Sequence, residues 1–171
     1  LNKFIKKINP NLVVVHGDRI ETLAAAIYCN LHNILVAHIE GGEVSGAVDN
    51  SIRHAISKLS HLHFVSNNVY KKRLVQLGEK KNSIFITGSP DIDIMNSKTL
   101  PSIDEVRKKY SIKFKNYSIL IFHPVTTEYS QISNQIKILT KSLKLSRKKY
   151  IAIYPNNDKG SEFILKSYKE L

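Results

Sequence analysis

Leu12-Val13-Val14-Val15-His16-Gly17-Asp18-Arg19-Ile20 is the stretch on which the fold turns. Four consecutive apolar residues, three of them β-branched, form the pattern of a strand buried on both faces. The run stops at a His-Gly-Asp-Arg turn, and a helix is predicted over Ile20 to Leu31. Within it, Ala24-Ala25-Ala26 allows close approach to a sheet. Ile34-Leu35-Val36-Ala37 then reads as a second strand, delivering His38 and Glu40 at its carboxyl end. Strand, helix and strand in this order make a βαβ unit, whose strands lie parallel and whose crossover is right-handed.

The rhythm continues outward from this unit. After a loop containing Gly41, Gly42 and Gly46, the residues Ile52, Ala55, Ile56 and Leu59 recur at helical spacing. His61 to Val65 is strand-like, Val69 to Leu77 is helical and stopped by Gly78, and Ser83 to Thr87 is a further strand. The turn formers from Gly88-Ser89-Pro90-Asp91 to Leu100-Pro101 read as a linker. Ser102 with Glu105 makes a capping box. Ser118 to Phe122 is a strand ending at His123-Pro124, the helix face is Ile132, Ile136, Leu139 and Leu143, and Tyr150 to Tyr154 is the last strand. The expectation is an α/β protein with mainly parallel sheets in two domains: residues 1–88, a linker over 89–101, and 102–171, the second short of strands.

Composition narrows the function classes. The chain has 171 residues, 42% hydrophobic and 23% charged, an ordinary globular balance. No apolar run approaches the roughly 20 residues of a membrane helix. The single cysteine, Cys29, excludes an internal disulfide and fits a reducing cytoplasm. The net charge of +12 raises nucleic acid as a partner. Through Ser60 there are six Lys/Arg against five Asp/Glu, and beyond it 20 against nine. The excess lies at predicted helix ends and turns, without interleaved aromatic platforms, and reads as a basic surface.

In parallel sheets ligands bind outside the carboxyl ends of the strands. Asp18, Glu40 and the glycine loop all fall at that edge. Taken singly, Asp18 and Asp49 are candidate helix N-caps, Arg19 a candidate anion contact, and Asp49 with Arg53 a candidate i,i+4 pair. Three carboxylates at one edge suit acid/base chemistry. No His-Glu-x-x-His or cysteine pair supports a metal site, no Gly-x-Ser-x-Gly a nucleophile, and no Gly-x-Gly-x-x-Gly or Walker loop a nicotinamide or ATP site.

The motifs His16-Gly17-Asp18-Arg19-Ile20-Glu21, His38-Ile39-Glu40-Gly41-Gly42-Glu43, Asp49 with Ile52-Arg53-His54-Ala55-Ile56-Ser57-Lys58-Leu59, and His61-Leu62-His63 resemble the hydrolysing UDP-N-acetylglucosamine 2-epimerases. Gln76-Leu77-Gly78-Glu79, His123-Pro124-Val125-Thr126-Thr127-Glu128 and Pro155-Asn156-x-Asp158-x-Gly160 extend the resemblance, in order, over nearly the whole chain. It implies two Rossmann-like domains of GT-B type, both incomplete in an internal fragment, with the active site between them. It also implies a cytoplasmic homo-oligomer, dimer or tetramer, acting on a UDP-sugar. No cofactor, metal, nucleic acid or membrane is implied.

The implied reaction removes the C2 proton, eliminates UDP from C1 to leave a glycal, and adds water with inversion at C2. By resemblance Asp18, Glu40 and Asp49 are the acid/base carboxylates, which of them takes the C2 proton being open. His123 stands near the departing diphosphate. Arg19 and Arg53 are UDP or sugar contacts, with His38, Glu43 and His54 as further substrate-binding candidates, and His61 and His63 orienting the sheet edge. A short Gly-Glu-Val-Ser-Gly loop and a single Asp49 resemble the hydrolysing branch, because the non-hydrolysing sisters carry a longer loop and a Glu-Glu pair. The same reaction on a UDP-linked 2,4-diacetamido sugar, and a GT-B glycosyltransferase, are the alternatives.

Overall fold

The computed structural model describes residues 2–45 and 47–171, with the side chain of residue 47 left aside. Gly46, expected in the loop before the third helix, lies outside the described residues. The chain divides into two compact units, meeting in sequence between Leu100 and Pro101.

The first unit opens with α1 (Asn2–Ile8), which the sequence pattern did not disclose, and β1 (Leu12–His16). It continues through α2 (Ile20–Leu31), β2 (Leu35–Ile39), α3 (Ala47–Lys58), β3 (Leu62–Val65), α4 (Asn68–Gln76) and β4 (Ile84–Ile86). The four strands pair in sequence order, every pair parallel. This is the sheet that the alternating apolar runs and helical periods dictate, since parallel neighbours require a crossover between them. Val15, Ala26, Cys29, Val36 and Ile56 form the core between the sheet and α2 and α3, with Val65 and Ile84 of the sheet packed against Leu74 of α4.

Two expectations need correction here. β1 is not buried on both faces: Val15 is in the core while Val14 is 56% exposed, because β1 is an edge strand of this sheet with α2 packed against one side. The segment read as a linker contains a helix, α5 (Pro90–Met95). Its Pro90 is at the first helical turn, where a ring without an N–H costs nothing.

The second unit contains α6 (Ile103–Lys109), β5 (Ser118–Ile121), α7 (Ile132–Ser146), β6 (Tyr150–Ile153) and α8 (Ser161–Lys169). The Ser102–Glu105 capping box starts α6 with both reciprocal bonds present. β5 and β6 pair in parallel from Ser118 opposite Tyr150 to Ile121 opposite Ile153. Ile132, Ile136 and Ile164 make its core, with Phe122, Tyr129 and Tyr168 against them.

Candidate active site

The carboxyl ends of all four strands in the first unit carry polar groups. Asp18 follows β1, Glu40 follows β2, Ser66 follows β3, and Ser89 lies just past β4. The parallel ladder runs one step beyond the strands to reach them: Gly17 N–H donates to Ile39 O at 3.1 Å, Glu40 N–H to Phe64 O at 2.9 Å, and Thr87 N–H to Val65 O at 2.9 Å. Register therefore places these residues in a row along one edge.

Asp18 does not cap α2. Arg19 occupies the N-cap position without a side-chain bond, and the Asp18 carboxylate instead accepts a hydrogen bond from the Arg53 guanidinium. Arg53 thus pairs with Asp18 across the fold, not with Asp49 one turn away on its own helix. Asp49 is exposed in the first turn of α3, as an acidic residue within the helix and not before it. Arg53 is buried, and its Nη1 also points at Ser45 Oγ, 3.4 Å away. Arg19 is largely exposed, 3.5 Å from Glu21.

Glu40 is gripped at both oxygens. His16 Nε2 lies 2.8 Å from Oε2, and Ser89 Oγ donates to Oε1 at 3.1 Å. The carboxylate is 16% exposed against 50% for His16, so one side of the pair is open to solvent. The backbone of Glu40 is left-handed, φ 65°, a conformation that non-glycine side chains seldom adopt and that clusters at functional sites. His16 and Ser89 were not singled out as site residues from sequence. His16 stood in a quoted motif, but Ser89 sat among turn formers and only folding brings it to Glu40.

The glycines after Glu40 are fixed by contact. A Cβ at Gly42 would lie 2.7 Å from the Tyr70 carbonyl oxygen, and Gly42 has φ 77°. Arg73 on α4 donates to Gly42 O and lies over the Tyr70 ring at 5.6 Å. Glu43 accepts a hydrogen bond from Ser66 Oγ at 2.9 Å. His54 faces the two guanidiniums of Arg73 and Arg53; burial, then these cations, push its imidazole below the usual histidine range.

His38 is where a substrate-binding expectation meets the structure and changes. It is fully buried. Nε2–H donates to Gly17 O at 2.9 Å, and Nδ1 is 3.0 Å from Ser57 Oγ on α3. No ring atom is left for a ligand. Burial pushes its pKa down to about 4, so the ring is neutral. His63, opposite His38 in register, is also fully buried and bonds Glu79 at 3.2 Å, which is paired with Lys58 at 2.6 Å. His61 Nδ1 accepts from Val36 N–H at 3.1 Å.

His123, in the second unit, is exposed just past β5, and its Nδ1 accepts a hydrogen bond from Asn156 N–H at 3.2 Å. An Nδ1 that accepts carries no proton, so the neutral ring keeps its proton on Nε2. Among the described residues, no group of three His, Cys, Asp or Glu side chains is placed to hold a metal ion.

Comparison with known proteins finds a match to the UDP-N-acetylglucosamine 2-epimerase family over residues 1–171. A UDP-N-acetylglucosamine 2-epimerase of Neisseria meningitidis is 52% identical over 96% of this chain and 44% of its own length. A hydrolysing UDP-N,N'-diacetylbacillosamine 2-epimerase of Legionella pneumophila is 41% identical over 94% of this chain and 43% of its own. The chain thus spans less than half the length of these relatives. The crystal structure of a Neisseria meningitidis UDP-GlcNAc 2-epimerase bound to UDP-GlcNAc superposes with a TM-score of 0.76 at 23% identity, covering 98% of this chain and 48% of that one. The fold is therefore the α/β, GT-B type fold of these enzymes.

Proposed function

Because the chain belongs to the UDP-N-acetylglucosamine 2-epimerase family, we propose that the protein is a hydrolysing epimerase that turns UDP-N-acetylglucosamine into UDP and N-acetylmannosamine. The observation that carries this reading is the pair of constrained carboxylates, Asp18 held by Arg53 and Glu40 held by His16 and Ser89, at adjacent strand ends. The 41% identity to a relative named as hydrolysing supports the branch.

The C2 hydrogen of the sugar is weakly acidic, so a fixed base and a stabilised leaving group must share the barrier. One of Asp18, Glu40 and Asp49 takes the C2 proton as the C1–O bond breaks, and the electron pair leaves with UDP. By the family resemblance His123, whose Nδ1 is taken by Asn156 N–H, is the group that donates from Nε2 to the departing diphosphate. A carboxyl on the opposite face then protonates C2 of the glycal while water adds at C1, which inverts C2. Arg19, largely exposed, offers a cationic contact to phosphate or sugar, and Arg53 acts by holding Asp18. Glu43 and His54 are further substrate-binding candidates by resemblance, and a single buried cysteine suits a cytoplasmic enzyme.

The deciding experiment is turnover of the intact protein in heavy water. UDP and N-acetylmannosamine carrying deuterium at C2 are expected; UDP release without C2 deuterium would refute the mechanism. The 41% identity to the diacetylbacillosamine enzyme favours a second substrate of the same class. Parallel assays with the UDP-linked diacetamido sugar rank the two by kcat/KM. A glycosyltransferase would instead need an acceptor and exchange nothing at C2.

A further inference from the structure

We propose that His38 and Ser57 are positioning residues, a buried bridge that holds the loop bearing Asp18 and the helix bearing Arg53 at a fixed separation. The proposal rests on the reading of Asp18 as part of an acid/base site.

The bridge spans three elements. Gly17, whose carbonyl accepts the Nε2–H bond of His38, is the residue before Asp18. Ser57, whose hydroxyl donates to Nδ1, lies on α3 four residues after Arg53 and so on the same helical face. A carbonyl can only accept, which fixes the proton on Nε2 and leaves Nδ1 as the acceptor for Ser57. Both side chains are fully buried. They therefore contact no substrate, and their effect on chemistry passes through what they hold.

Gly41 gives independent support. A Cβ there would fall 2.9 Å from Ser57 Oγ and 3.0 Å from His38 Nδ1. The residue next to Glu40 is thus kept small by the bridge itself. The second carboxylate is tied to the same point: Glu40 is two residues beyond His38, and Gly17 N–H bonds Ile39 O between them. One imidazole sets the spacing of Asp18, Arg53 and Glu40, and reaction rates fall by roughly 100-fold for misplacements near 1 Å.

The test is steady-state turnover of the intact protein with UDP-N-acetylglucosamine, with kcat normalised to sites titrated by UDP binding. His38→Phe is expected to lower kcat roughly 100-fold with KM within about threefold. His38→Gln, whose amide can still donate to Gly17 O, should recover about tenfold of that loss, and Ser57→Ala should lower kcat about tenfold. A folded His38→Phe with unchanged kcat, or with raised KM at constant kcat, overturns the bridge. So does equal loss in the Gln and Phe variants. If His38→Phe does not fold, Ser57→Ala decides, an unchanged kcat overturning the proposal. Asp18→Asn separates the two layers: parental kcat in that variant would remove the acid/base reading of Asp18, whatever His38 does.

Discussion

At the scale of single residues, Glu40 is held by neighbours that differ in reach. His16 comes from its own sheet edge and Ser89 from 49 residues away. Glu40→Gln keeps the shape and removes the charge, so it should lower kcat by about 10²–10⁴ with little change in KM, as for a general acid or base. His16→Ala should cost less, since Ser89 still orients the carboxylate. Stopped-flow or steady-state UDP release measures both. His38 makes a prediction about acid. Its ring stays neutral to about pH 4 in the folded chain against an ordinary 6.5. Between those values the unfolded chain binds more protons, so stability is full above 6.5 and falls as pH drops toward 4. The gap corresponds to about 3 kcal/mol. His63, Arg53 and His16 surround the ring and disfavour its charge further, and His63 shifts in the same direction by burial. Urea midpoints at pH 7, 5.5 and 4.5 should decline in that order, and His38→Gln should flatten the slope.

At the scale of elements, the loop from Glu40 to Glu43 is held against α4. Gly42→Ala would meet both a left-handed φ and the Tyr70 carbonyl. The φ alone costs about 1–2 kcal/mol, and the clash adds to it. A lowered melting temperature together with lost turnover is expected, whereas Gly17→Ala meets the φ without any neighbour within 4 Å and should be milder. Comparing the two separates strain from crowding. Elements also mark what could be read in advance. The strands and α2 follow from apolar runs and helical spacing, which are local signals. The Arg53 partner was not legible, because an i,i+4 rule points to Asp49, whereas folding brings Asp18 to it. The short α5 was hidden for a similar reason: Gly88, Ser89 and Pro90 are turn formers, yet Pro at the first turn also starts helices. His38 was placed in the site by its motif, and only burial shows that it faces inward.

At the scale of the whole molecule, part of the +12 charge sits where helices end. The last turns of α1, α6, α7 and α8 all carry Lys or Arg, which offsets the partial negative charge of each terminus. The proposed substrate, a nucleotide diphosphate sugar, is an anion, and a basic surface would accelerate its encounter. Raising ionic strength from 0.05 to 0.5 M, as assay values on the scale where the Debye length drops below about 10 Å, should lower kcat/KM severalfold and leave kcat nearly constant. Parallel loss of kcat would locate the salt effect in chemistry instead.

The alignment of Val15, His38, His63 and Ile84 in one row across the parallel sheet also decides where the gene tolerates added codons. One extra residue in β2 would turn His38 to the opposite face and carry Glu40 off its edge together, since side chains alternate along a strand. The exposed stretch from Lys98 to Pro101 has no such parity to keep. A library of single-codon insertions selected for the proposed N-acetylmannosamine production should therefore be empty from Val36 to Gly42 and populated from Lys98 to Pro101. Length, as much as identity, is what this segment of the chain encodes.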